Sequence, residues 1–169
     1  MSAAKQPNAG NGPEDYEKDK KHMKKIKCLA SVTPEYLNER STGSFISWMG
    51  IEFMSVEDGT LTARMAITDH HVAPNGYLHA ASVIALADSS CGNGTIAHLP
   101  EGADSFTTIE LKSNHLGTAT NGMLECTAVA QHIGRNTHVW DATVTHADTG
   151  KTIALFRCTQ MILWPIARR

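Results

Sequence analysis

The stretch YLHAASVIALADSSCGNGTIA at residues 77–97 constrains this chain more than any other. It is rich in Ala and apolar around most of its helical circumference, and a helix of that kind is covered on most sides by the rest of its protein. About 20 residues of helix span about 30 Å. Gly92 and Gly94 are expected to fray or kink its C-terminal end. On either side the pattern changes to β-type. Residues 45–56 (FISWMGIEFMSV) and 60–68 (TLTARMAIT) precede it, with Asp58-Gly59 as a hairpin turn between them. Residues 105–116, 123–132, 137–146 and 151–164 follow, separated by Asn121-Gly122, Gly134-Arg135-Asn136 and Asp148-Thr149-Gly150. A short helix is expected earlier, with Thr33 as N-cap, Pro34 at its first position, an end near Arg40 and Gly43 beyond. The order ββ, one long helix, ββββ implies an α+β domain in which the helix covers one face of an antiparallel sheet. A second subunit is the economical cover for what remains, so self-association is expected.

At 169 residues the chain is long enough for one domain, and 41% hydrophobic with 19% charged residues is ordinary for a globular protein. No apolar run is long enough for a membrane span, and the N-terminus has no secretory core, so a cytoplasmic protein is expected. Cys28, Cys91, Cys126 and Cys158 are far apart in sequence, against a zinc or CxxC motif and consistent with reduced, partly buried thiols. Residues 1–27 carry a charge of +3 and the remainder −5. They read as a disordered, charged tail ahead of a single domain over 28–169. The basic stretch at 18–27 reads as solvated, and the mildly acidic body shows no nucleic-acid footprint.

Asp88 demands an explanation. On the helical wheel His79, Ser82, Ser89, Ser90 and Asn93 form a polar stripe, and Asp88 lies opposite it among Ala81, Ile84 and Thr95. A carboxylate there is costly unless it is paired or serves a cavity. The alternative is a helix that breaks at Ser89-Ser90 and leaves Asp88 as an exposed cap. His79 sits at the helix N-terminus, where free backbone N–H groups favour an oxyanion; its side chain reads as structural and the amide of Ala80 as the functional group. The histidines lack metal-ligand spacing, and Cys91 reads as a small core residue.

The segment HHVAPNGYLHAASVIALADSS resembles the hotdog-fold acyl-CoA thioesterases of the phenylacetate-pathway and 4-hydroxybenzoyl-CoA thioesterase type. Their pattern is an Asn-Gly loop, a His-Gly-Gly turn and a long helix bearing Ala-Asp or Ala-Glu eight residues after the first Gly. Asn75-Gly76, His79-Ala80-Ala81 and Ala87-Asp88 hold those places, and the resemblance runs over roughly 45–165. It implies a curved antiparallel sheet wrapped around one helix, two subunits with the active site at their interface, and assembly as a homodimer or a dimer of dimers. It implies hydrolysis of acyl-CoA or aryl-CoA thioesters without a cofactor. Asp88 becomes the carboxylate acting as base or nucleophile, the N–H of Ala80, beside His79, polarises the thioester, and Thr108 matches a hydroxyl from the second subunit that helps place water. Asn75 and Gly76 belong to the substrate loop, and Lys112 and Arg135 are candidates for the coenzyme A phosphates. The chain departs from the pattern in having Ala80 and Ala81 for the two glycines, and Ala73 where the family often has Asn or Gln. A hotdog protein that binds acyl-CoA or an acyl carrier without turnover is the alternative.

Overall fold

The computed structural model describes residues 26–165. Most of the tail expected over 1–27 lies outside them; Ile26 packs against the core near Gly59 and Ala130. Helix α1 (Pro34–Arg40) begins where expected, with the Thr33 hydroxyl accepting from the Tyr36 amide. The segment 45–56 is not one strand. Ser44 caps a single helical turn, α2 (Phe45–Trp48), and Gly50, at φ +64°, turns the chain into strand β1 (Ile51–Glu57). The β-forming side chains of 45–48 are overruled by a cap at one end and a left-handed glycine at the other.

Strand β2 (Thr60–Ala66) returns along β1, and helix α3 (Ala80–Ala97) follows. Then come β3 (Ser105–His115), β4 (Met123–Ile133), β5 (Thr137–His146) and β6 (Thr152–Leu163). All six strands form one sheet in the order β1-β2-β4-β5-β6-β3, antiparallel at every pairing. Helix α3 packs against all six strands. This is the hotdog arrangement that the resemblance implies. No helix among the described residues is long and apolar enough to cross a membrane.

Helix α3 runs unbroken through Ser89-Ser90, so Asp88 is not a cap. The polar stripe is not a solvated face either. Ser82, Ser90 and Asn93 are buried, and each donates to a nearby carbonyl: Ser82 to His71, Ser90 to Leu86, Asn93 to Ser89; the Asn93 Oδ1 has no partner among the described residues. Gly92 and Gly94 neither kink nor end the helix. A Cβ at Gly94 would lie 2.9 Å from the Trp140 ring, and one at Gly92 2.8 Å from the Phe106 ring. The glycines let two aromatic rings of the sheet lie directly on the helix backbone. At its C-terminus His98 accepts the Gly59 amide through Nε2 and bonds the Gly94 carbonyl through Nδ1, tying the β1–β2 turn to the helix.

Candidate active site

The loop before α3 is built to present a helix N-terminus. Pro74-Asn75-Gly76 closes a tight turn in which Gly76 stands at φ +82°, the Asn75 side chain accepts the Tyr77 amide, and Val72 bridges Leu78. His71 is buried beneath it, and its carbonyl accepts from the His79 amide and the Ser82 hydroxyl. Asn75 and Gly76 thus shape the approach to the helix, and both are exposed.

His79 is the N-cap of α3. Its Nδ1 accepts the Ala81 amide at 3.0 Å and its carbonyl accepts the Ser82 amide at 3.0 Å. The amide of Ala80 has no partner among the described residues, and it stands exposed at the positive end of an 18-residue helix. From there a stripe of the helix stays partly open to solvent: Ala81, Ile84, Ala85 and Asp88. Beside its start lies a recess of about 240 Å³ lined by Phe45, Trp48, His70, Val72 and His79 among others. Phe45 and Trp48 are largely exposed there, and His70 stacks 5.8 Å from Trp48.

Asp88 is half-buried at the far end of that stripe. Burial raises its proton affinity above that of an ordinary carboxylate, and hydrogen bonding to Thr108 and Gln160 offsets part of the rise. The Thr108 hydroxyl lies 3.4 Å from Asp88 Oδ1 and 2.8 Å from Gln160 Oε1. Thr108 therefore reaches the carboxylate of its own chain, where the resemblance implies the second subunit's. Strand β3 is paired to β6, and that pairing brings its first half alongside the helix. A bulge at Ile109 then inverts the strand. Thr108 stands opposite inward Gln160, but Glu110 stands opposite Thr159 and Lys112 opposite exposed Arg157.

The structure thus brings Asp88 and Thr108 together and adds Gln160, which the sequence analysis does not single out. Its signal is present: along β6 the inward positions Phe156, Cys158 and Ile162 are apolar, and Gln160 interrupts them. Lys112 lies on the outer face, lining a groove with Asp141, Leu155 and Arg157. Arg135 lies in the β4–β5 turn, its guanidinium 4.4 Å over the Trp164 ring, in a cleft with His98 and Glu101 near the C-terminal end of α3. Neither cation is beside Asp88 of its own chain. Cys91, Cys126 and Cys158 are buried and free. A hydrogen bond with Cys158 and burial hold the Cys91 thiol well above its ordinary range, and burial pushes Cys126 up to about 12, so neither is a nucleophile at neutral pH.

Residues 75–153 match the family described as the thioesterase superfamily. A 1,4-dihydroxy-2-naphthoyl-CoA hydrolase of Listeria monocytogenes is 33% identical over 111 residues, which is 66% of this chain and 89% of that protein. The chain belongs to the thioesterase superfamily. A second relative of this thioesterase, the 1,4-dihydroxy-2-naphthoyl-CoA hydrolase of Escherichia coli, is 28% identical over 134 residues, 78% of this chain and 96% of that one. Among solved structures, a thioesterase from Pseudomonas aeruginosa superposes with a TM-score of 0.76 at 29% identity, over 80% of this chain and 97% of that one. A thioesterase from Haemophilus influenzae gives 0.75 at 25% identity, over 82% and 94%.

Proposed function

We propose that this thioesterase hydrolyses acyl-CoA thioesters to the free acid and coenzyme A, with Asp88 as general base and the Ala80 amide as the oxyanion donor. The observation that carries the reading is the placement of Asp88: a half-buried carboxylate of raised proton affinity, in reach of a threonine hydroxyl, on the open stripe of a helix whose first amide is free. Asp88 takes a proton from water as the oxygen attacks the thioester carbon. The tetrahedral oxyanion rests on the Ala80 N–H, the C–S bond breaks, and the proton held by Asp88 passes to the leaving thiolate. Burial suits this role, because it favours the protonated form that the carboxylate must adopt in mid-reaction.

The two groups cannot act together within one chain. Eight residues of helix separate Ala80 from Asp88 by about 12 Å along the axis, whereas donor and base must both lie about 3 Å from the reacting atoms. The site is therefore assigned to two subunits, Ala80 of one and Asp88 of the other. The edge strand β3 supports such a pairing: its far side carries no strand among the described residues, and Ile109, Leu111 and the following Leu116 are exposed. For the acyl group we favour an aromatic one. Both named relatives act on a naphthoyl thioester, and the recess beside the oxyanion donor is walled by Phe45 and Trp48. Asn75 and Gly76 would border the bound substrate, and Lys112 and Arg135 remain the cations assigned to the coenzyme A phosphates.

The test is thiol release from naphthoyl, benzoyl, phenylacetyl and aliphatic CoA thioesters by wild type, Asp88→Asn and Ala80→Pro. Proline is tolerated at the first helical position and removes only the N–H, and His79 already has the extended backbone that precedes a proline (φ −71°, ψ 137°). Asp88→Asn is expected to abolish turnover, and Ala80→Pro to lower kcat by about 10²–10³ while the helix stays folded. A variant at Asp88 that keeps more than a few per cent of the rate overturns the assignment of the base.

A further inference from the structure

Gln160 is fully buried and polar on the inward face of β6, between Cys158 and Ile162. A carboxamide in that position needs a reason, because an unpaired one costs more than the apolar residue the site would otherwise hold. Its two ends are engaged. Oε1 accepts the Thr108 hydroxyl at 2.8 Å, and Nε2 lies 3.2 Å from the Cys158 sulfur. Thr108 stands directly opposite Gln160 in the β3–β6 ladder, so strand register fixes the pair.

A threonine hydroxyl has one proton to give. Two acceptors are within its reach here, the Gln160 carbonyl at 2.8 Å and Asp88 Oδ1 at 3.4 Å, and the shorter contact holds the proton. We infer that Gln160 is a positioning residue for the reaction proposed above: by accepting the Thr108 proton it keeps that proton off Asp88, leaving the carboxylate lone pairs to the water it activates. Thr108 then turns an oxygen lone pair toward Asp88. That lone pair accepts from the carboxyl group once Asp88 has taken the water's proton, so one arrangement serves both halves of the cycle without moving a buried side chain. A carboxylate that kept the threonine O–H would be a weaker base, since a hydrogen bond donated to the charged form stabilises it.

Among the described residues Cys91, on the same helix, couples electrostatically to Asp88, and Cys126 on β4 and Cys158 on β6 couple to Cys91 in turn. Cys91 and Cys126 are held protonated through the neutral range, so neither thiol contributes to the acidic limb of a pH–rate profile.

The inference rests on Asp88 being the base, and the two are separable. If Asp88→Asn retains turnover, the base assignment has failed. If Asp88→Asn is dead, the profile of kcat/KM against pH is measured for Gln160→Met, Thr108→Val and the double variant. Losing the Gln160 carbonyl frees the Thr108 proton to turn to Asp88. The acidic limb of Gln160→Met is therefore expected to move down by at least about 0.5 pH unit, with the plateau rate reduced several-fold. In the Thr108→Val background the downward shift is expected to vanish, because no hydroxyl remains to redirect and only the direct bonding of Gln160 to Asp88 is lost, which lets the proton affinity of the carboxyl rise. A shift of equal size and sign in both backgrounds, or no downward shift with Thr108 present, overturns the inference. Gln160→Asn withdraws the carbonyl by one methylene while keeping a polar core residue, and it must show the same dependence on Thr108 if the methionine variant does not fold.

Discussion

His138 carries a cost that arises only as acid is added. It is fully buried on β5, and burial, followed by the charges of His98 and His132, depresses its pKa from 6.5 to about 4. The folded protein thus holds it neutral where the unfolded chain would protonate it. The stabilisation associated with this group is complete above about pH 6.5, falls as pH drops below that value, and levels off near pH 4, amounting to about 3 kcal/mol in all. His71 and His98, also depressed mainly by burial, act in the same direction. The urea midpoint of the wild type should therefore fall between pH 7.5 and pH 4.5, and a His138→Phe variant should show a flatter dependence over that range. Residues of this kind also mark how far the sequence could be read. Asp88 is legible because a lone carboxylate in an apolar helix violates a strong rule. Gln160 obeys a weaker one, a polar residue at one inward position of a strand, and the sequence around it is too short to separate inward from outward with certainty once bulges intervene.

At the scale of elements, the six strands and the long helix are legible because their periods, 2 and 3.6, persist over many residues. The element the sequence hides is α2, four residues set by Ser44 and Gly50 against the preferences of Phe45, Ile46 and Trp48. The other hidden feature is the closeness of helix to sheet. Gly94 reads in sequence as a helix breaker, yet it is a contact surface for Trp140, which is itself fully buried and has no room to retreat. Gly94→Ala gains about 1 kcal/mol of helix propensity and loses about 1–3 kcal/mol to overpacking against the indole, so a net loss of stability is expected in thermal or urea unfolding. Gly92→Ala faces Phe106, which is only half-buried on the edge strand and can yield, so its loss should be the smaller of the two.

For the whole molecule, the distance along α3 turns a question of chemistry into one of assembly. If each site takes its amide from one subunit and its carboxylate from the other, Ala80→Pro and Asp88→Asn are each inactive alone. A mixed dimer of the two keeps one intact site. Unfolding the variants together and refolding them at equal concentration should restore about a quarter of the wild-type rate, since half the dimers are mixed and each has one working site. A site contained within one chain would restore nothing. The overall architecture was open to sequence reading because the order of elements leaves few ways to cover an apolar sheet. A site shared by two subunits is likewise what the resemblance implies, and the eight residues between Ala80 and Asp88 on one helix already set the two groups about 12 Å apart.

The bulge at Ile109 gives strand β3 two grammars. Up to Thr108 the even-numbered residues face the helix; beyond it the odd-numbered Leu111 and Ser113 stand opposite the inward Cys158 and Phe156, with Leu111 still exposed at the open edge of the sheet. The reacting end of the strand and its cationic end are therefore out of phase with each other, and each can drift in sequence without dragging the other along. A single-residue deletion at Ile109 would remove the bulge and nothing else: Glu110 would follow Thr108 directly and stay opposite Thr159, and Leu111 and Lys112 would keep the faces they have, so the bulge residue is one whose loss leaves both phases of the strand intact.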